Sequence, residues 1–190
     1  ETGLVFSTLW WGIVCLAMGE LWRSGGDRSL ERAVIGRRVS EVETDLLLLF
    51  EEALGLADRD RLTWQPPSEC AFEGEIDYAE LLTALGEWNR QSVQPVTSGH
   101  QQFESRVAGN ALGIARRHAR WAGGFEQTSR DRLRAIGMDH GSLCQGLAEG
   151  RIELDNAAVW NHLRLSALER MTIDQPRYAG LAQARQRWCD

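Results

Sequence analysis

Lysine is absent: all 21 basic residues of this 190-residue chain are arginine. No nucleotide site built on a lysine and no lysine Schiff base can therefore be assembled within it. Cysteine is sparse and scattered, at Cys15, Cys70, Cys144 and Cys189, with no CxxC. That spacing excludes a redox dithiol and a cysteine-pair zinc site, and it suits a reduced, cytoplasmic chain. The four histidines, His100, His118, His140 and His162, are dispersed. His140 and Cys144 stand one helical turn apart, but no second pair has ligand spacing, so no metal is expected. There is no glycine-rich phosphate loop and no HExxH. Ser142 follows Gly141, yet the surrounding residues do not form a nucleophile elbow. No Asn-x-Ser/Thr acceptor, internal repeat or low-complexity tract occurs. Sustained alternation of apolar and polar residues is also missing, which argues against a sheet.

The net charge of −6 argues against nucleic acid as a partner. The charge is uneven. Residues 1–97 hold 8 Arg against 17 acids, and residues 98–190 hold 13 Arg against 10. Acidic pairs such as Glu41 with Glu43 and Glu51 with Glu52 read as solvated helix faces.

What is present is helical periodicity. The apolar run Leu4–Met18 is shorter than the ~20 residues of a membrane span, and it lies in a helix expected over residues 4–22 and buried on most sides. With Ser7 and Thr8 inside it and no basic flank, it reads as a core helix rather than a membrane span or signal peptide. Gly25 and Gly26 break it. Ser29 is placed to cap a second helix whose stripe is Ile35, Val39, Val42, Leu46, Leu49 and Ala53. Arg37 and Arg38 lie at helix spacing from Glu41. Two such helices do not make a domain alone. Either the chain continues a larger protein or they dock on the rest of it.

Residues 55–76 read as a linker, with Asp58–Arg61 charged and Trp64 and Phe72 pinning it to a surface. A helix capped by Asp77 follows and ends at Pro95. The next, centred on FESRVAGNALGIARR (103–117), is the expected middle of the fold. Its stripe is Phe103, Val107, Ala111 and Ile114, and Gly109 and Gly113 leave room for neighbours. Gly123–Gly124 should stop it. Short helices over Ser129–Ile136 and Asp139–Glu149 come next. Asp155 caps another, and Pro176 opens the last. Asn110, beside the stripe, is expected inside and bonded to the turn at Asp174–Tyr178. Arg116, Arg117 and Arg120 suit the dipole of a helix ending there. Arg106 and Asn110, one turn apart, together with Arg117, Arg177 and Tyr178, form either an internal polar network or a seat for phosphate or carboxylate.

Two stretches resemble bacterial families. WGIVCL (11–16), Ser29, Glu31 and IGRRVSEVETDLLLL (35–49) resemble the last helices of aminoglycoside-phosphotransferase-like kinases, in the subgroup associated with acyl-CoA dehydrogenases. The resemblance spans residues 1–54. It implies an upstream kinase part, and ATP and Mg belong to that part only. None of its catalytic motifs occurs here, so no catalytic residue carries over. From about Asp77 the chain is similar to an uncharacterised all-helical domain found fused behind such kinases or encoded beside them. Phe103, Arg106, Val107, Ala108, Asn110, Ala111, Leu112, Ile114 and Arg117 carry that likeness, with residues 152–155 and IDQPRY (173–178). His118 stands where an acid is expected.

The expected architecture is all-α: residues 1–54 as kinase C-lobe helices, 55–76 as a linker, 77–190 as a helical-bundle accessory domain. The expected function is a non-catalytic interaction or regulatory region of a small-molecule kinase near acyl-CoA metabolism, with no cofactor of its own. The alternative is a helical domain that binds an anionic small molecule, or acts as an enzyme, through Arg106, Asn110, Arg117, Arg177 and Tyr178. Expected partners are the upstream kinase domain or a neighbouring acyl-CoA dehydrogenase, with a second copy through residues 4–22 as another cover for that helix. A third reading, an interfacial membrane anchor, requires the first helix to be exposed.

Overall fold

Lacking alternation, the chain folds through its helical periodicities. A computed structural model describes residues 2–56, 60–68 and 74–190, and it is all-α. The helices are α1 (Thr2–Arg23), α2 (Leu30–Ile35), α3 (Val39–Ala53), α4 (Tyr78–Trp88), α5 (Gly99–Ala135), α6 (His140–Ala148), α7 (Ala157–Asp174) and α8 (Ala179–Trp188). A π turn (Asn89–Val93) and a 3-10 turn (Gln94–Val96) join α4 to α5. Among the described residues, β pairing amounts to one isolated bridge between Leu62 and Cys189.

The core forms around α7 rather than α5. Eleven of the eighteen residues of α7 are buried. Trp160, Leu168 and Met171 meet Leu47 and Leu48 of α3, Leu181, Ala184 and Trp188 of α8, and Leu62. Packing therefore runs without a break between the expected kinase-like helices and the later ones. The 37-residue α5 buries only Ser105, Ile114, Ala122 and Leu133, and Phe103 is 46% exposed. A helix about 55 Å long outreaches its neighbours, so most of its surface stays wet.

Gly123–Gly124 does not stop α5, which absorbs the separate helix expected at Ser129–Ile136. A Cβ added at either glycine meets nothing within 4 Å. Each glycine costs ~1 kcal/mol of propensity. Ala122 and Leu133 are buried on either side, with Phe125 packed nearby. Burying a large apolar side chain returns ~1.5–3 kcal/mol, so packing overrides the local preference. The helix ends instead at Gly137, whose φ of 71° is left-handed.

The single second helix expected from Ser29 to Gly55 is two. α2 ends at Ile35, the chain turns through 36–38, and α3 starts at Val39. Gly36 lies against the backbone of α1: a Cβ there would sit 3.0 Å from the Cα of Gly19. The apolar stripe runs on through this turn, so periodicity alone did not reveal it. Several caps also move. Ser29 makes no side-chain cap. Asp77 and Asp139 each form a capping box, with Glu80 and Ser142. Asn156, not Asp155, caps α7. Pro176 lies in the turn before α8, which begins at Ala179.

α1 is not buried on most sides. One face packs on α3, where Gly12 meets Val42 and Cys15 is 0% exposed. The other face leaves Phe6, Leu9, Trp10, Ile13 and Leu16 exposed. At 22 residues, α1 is long and apolar enough to cross a membrane by length and composition, so the argument from shortness falls away. In the expected linker, Leu62 is buried, Trp64 packs on the core, and Arg185 stacks over Trp64 at 5.8 Å. Asp58, Arg59, Cys70 and Phe72 lie outside the described residues.

Gly36→Ala should destabilise the chain by ~1–3 kcal/mol, because the new methyl meets backbone that cannot swing away. Gly123→Ala should stabilise it by ~0.5–1 kcal/mol. Urea unfolding of both variants checks the pair; equal shifts would place the α1–α2 contact elsewhere.

Candidate functional site

Many of the charged side chains are committed to holding helices together. Arg37 does not pair with Glu41. It reaches Asp174 of α7, with Nε 2.9 Å and Nη2 2.6 Å from Oδ1. Arg38 takes Glu41 in a fork, at 2.8 and 3.0 Å, while its guanidinium lies 5.2 Å over the Trp11 ring. Glu41 and Glu51, expected as solvated, are 4% and 1% exposed. Arg187 answers Glu51 at 3.0 Å, and Arg170 pairs with Glu43. Arg132 grips Glu169 through both carboxylate oxygens. A buried carboxylate without such a partner would carry a large desolvation cost.

The five residues singled out from the sequence separate into two places. Arg106, Asn110, Arg177 and Tyr178 converge on one groove of about 510 Å³. Val107 completes the α5 wall of this groove. Val34, Ile35, Glu31, Arg38 and Glu41 form the α2–α3 wall, and Gln175 joins Arg177 and Tyr178 in the α7–α8 turn. Arg117 lies apart. Its Nε donates to the carbonyl of Ile173 at 2.6 Å, a cation closing the C-terminal end of α7. Because α5 continues well beyond Arg120, these arginines do not sit at its own terminus. Arg120 lies 3.9 Å from Asp77.

Asn110 is not the buried amide that its place beside the stripe suggested. It is exposed at the rim of the groove. The buried amide is Asn89, at the start of the π turn. Its Nδ2 donates to the Ser105 carbonyl at 2.8 Å, and Ser105 Oγ donates to its Oδ1 at 3.0 Å. Gly109 gives this amide room, since a Cβ there would approach Asn89 Nδ2 to 3.3 Å. A Cβ at Gly113 would meet only Arg117 of the same helix.

Within the groove, Tyr178 is half-buried and donates to Asp45 Oδ2 at 2.6 Å. Burial, then the bond to Asp45, pushes the phenol well above its ordinary pKa. Burial raises Asp45 too, against the hydrogen bond from Tyr178. The phenolic proton is thus engaged with the protein. Gln175 and Glu31 were not singled out for the seat, although Gln175 lies inside the IDQPRY run and Glu31 inside the first likeness.

A second, larger cavity of about 840 Å³ lies between α3, α5, α6 and α7. Leu46, Phe50, Phe125, Leu143 and Leu163 make it mainly apolar, and His162 faces it. His162 is 5% exposed, and its Nδ1 has no partner. Burial first, then the charges of Arg132 and His140, lowers its pKa to about 4. His140 Nε2 and Cys144 Sγ are 3.7 Å apart, and Cys144 is exposed. Among the described residues, no group of three His, Cys, Asp or Glu side chains gathers as a metal site would.

The family model of a domain of unknown function (DUF6285) matches residues 95–178. Those residues run from the 3-10 turn to Tyr178 and include all five residues of the expected seat. No curated protein and no solved structure matches the chain.

Asn89→Ala should cost ~1–3 kcal/mol by stranding Ser105, whereas Asn110→Ala should stay within ~0.5 kcal/mol of the parent. Urea unfolding distinguishes them, and the reverse order would invert the face assigned to α5.

His162 makes stability depend on pH with a definite sign. The unfolded chain takes up this proton near pH 6.5, and the native one only near pH 4. Stability is therefore intact above pH 6.5 and falls by up to ~3 kcal/mol on the way down to about pH 4. His162→Gln should flatten the pH profile of unfolding across that window. An unchanged slope would show that the imidazole is not held neutral.

Proposed function

We propose that this chain is a non-catalytic interaction region of an aminoglycoside-phosphotransferase-like small-molecule kinase, acting near acyl-CoA metabolism, and that α1 is its docking element. The observation that carries this reading is the face of α1 that shows Phe6, Leu9, Trp10, Ile13 and Leu16 to solvent. The opposite face is fixed to α3 through Gly12 and Cys15, so α1 is presented in a set orientation. Covering one large apolar side chain returns ~1.5–3 kcal/mol, and five on one face strongly favour a partner. The likeness of residues 1–54 to the closing helices of such kinases supports the choice of that partner. In that setting α1–α3 complete the lobe while α7 and α8 anchor the rest of the chain to α3. The pairing of Arg37, Arg38, Arg132 and Arg187 with buried carboxylates suits a scaffold, because those cations are held in place.

Mixed with the kinase-like lobe encoded with it, the chain should form a stoichiometric complex in size-exclusion light scattering. Phe6→Glu combined with Ile13→Glu should abolish that complex with helical circular dichroism unchanged. The chain alone should self-associate through the same face and turn over no ATP. A monomer that ignores the lobe, or one that binds lipid vesicles in its place, overturns the reading.

A further inference from the structure

Independently of α1, we propose that the groove between α2, α5 and the α7–α8 turn binds the oxyanion of a small molecule, a carboxylate or a phosphate, through Arg106 and Arg177. The groove's walls come from three remote stretches of chain, at residues 31–41, 106–110 and 175–178. On α5, Arg106 and Asn110 are four residues apart and so share one face, with Val107 beside them. The last turn brings Gln175 and Arg177 to the opposite rim.

Charge inside the groove decides the ligand. Arg38 and Glu41 cancel in their forked pair. The phenol of Tyr178 is engaged with Asp45. Arg106 has only a 3.5 Å contact with Gln102 of its own helix, and Arg177 has no partner among the described residues. Two cations are thus uncommitted, opposed by the exposed carboxylate of Glu31. The excess is one positive charge, which matches a single monoanionic group. Guanidinium forks suit planar carboxylate and tetrahedral phosphate alike. The amides of Asn110 and Gln175 supply further donors, and Val34, Ile35 and Val107 offer an apolar rest for a short carbon skeleton. About 510 Å³ falls within the range of small-molecule sites. Glu31 disfavours multiply charged ligands and accepts from a hydroxyl or amino group beside the oxyanion. Of the other two residues expected in the seat, Arg117 lies outside the groove, bonded to Ile173, and Tyr178 lines it with its phenolic proton already given to Asp45.

The test is amide NMR of the full chain titrated separately with inorganic phosphate and with 3-methylbutanoate. Saturable shifts confined to the three groove segments are expected with at least one probe. Arg106→Gln and Arg177→Gln should each weaken that binding about tenfold or more, and added salt should weaken it in the parent. Arg90→Gln, exposed and outside the groove, should leave it unchanged. Since Arg106 and Arg177 make no ion pair, both variants should melt with the parent. Asn110→Asp, nearly isosteric, should abolish binding by repulsion and guards against any loss caused by unfolding. Response to phosphate alone identifies a phosphate ester as the source, and response to 3-methylbutanoate alone a carboxylic acid. No saturable shift with either probe up to tens of millimolar overturns the proposal, as does binding that survives in the Arg106→Gln, Arg177→Gln double variant.

Discussion

Helix α7 is buried along most of its length, and its desolvation organises the charges of the rest of the chain. A charged or hydrogen-bonding group on a buried helix must be answered from a neighbouring element or it opposes folding. Glu169 is answered by Arg132 of α5, and Asp174 by Arg37 of the α2–α3 turn. Arg164 donates to the Asp60 carbonyl, and Thr172 turns back to the Leu168 carbonyl of its own helix. Arg117 closes the Ile173 carbonyl at the helix end. Each answer fixes another part of the chain on α7. The apolar contacts to α3 and α8 supply the driving force, and the polar ones set direction and register.

α1 meets the opposite situation. It has an apolar surface nearly all round, yet only Gly12 and Cys15 of it are buried. Close approach at Gly12, and the meeting of Gly19 with Gly36, hold it on α3 and α2 without covering its outer side. Packed on one side only, α1 leaves an apolar outer face in water. The groove is a quieter consequence of the same packing. Once α2 and the end of α7 are pinned beside α5, Arg106 and Arg177 face a shared space without forming an ion pair.

Much of this was legible in the residues. Helix type followed from spacing, and Gly137 and Gly150, both with positive φ, marked two helix ends correctly. Asp77 was readable as a cap because an acid just before a helix, with Glu80 three residues on, satisfies orphan N–H groups. Four of the five seat residues were nominated together and are found around one groove. Other local signals misled. Gly123–Gly124 looked like a stop, but neighbours carried the helix through. Asn110 looked buried because it adjoins the stripe, while the amide that went inside was Asn89. A stripe fixes a face only to within a residue or two, and only the partner helix decides which edge of it is covered.

Composition and periodicity by themselves determined the all-α class, the position of most helices and the absence of lysine chemistry. Those properties are local: they depend on side-chain spacing along one helix and on the residue types available. Which helix lies at the centre was decided by tertiary structure alone. α5 shows a clear apolar stripe and was the natural choice, but an amphipathic helix is by its nature a surface helix, wet on its polar side. α7 distributes Trp160, Arg164, Leu168, Glu169 and Asp174 around its circumference and shows no preferred face. A helix surrounded on all sides has no polar face to display. Its centrality rests on the charges and hydrogen-bond acceptors other elements bring to it, from residues as distant as Arg37 and the Asp60 carbonyl.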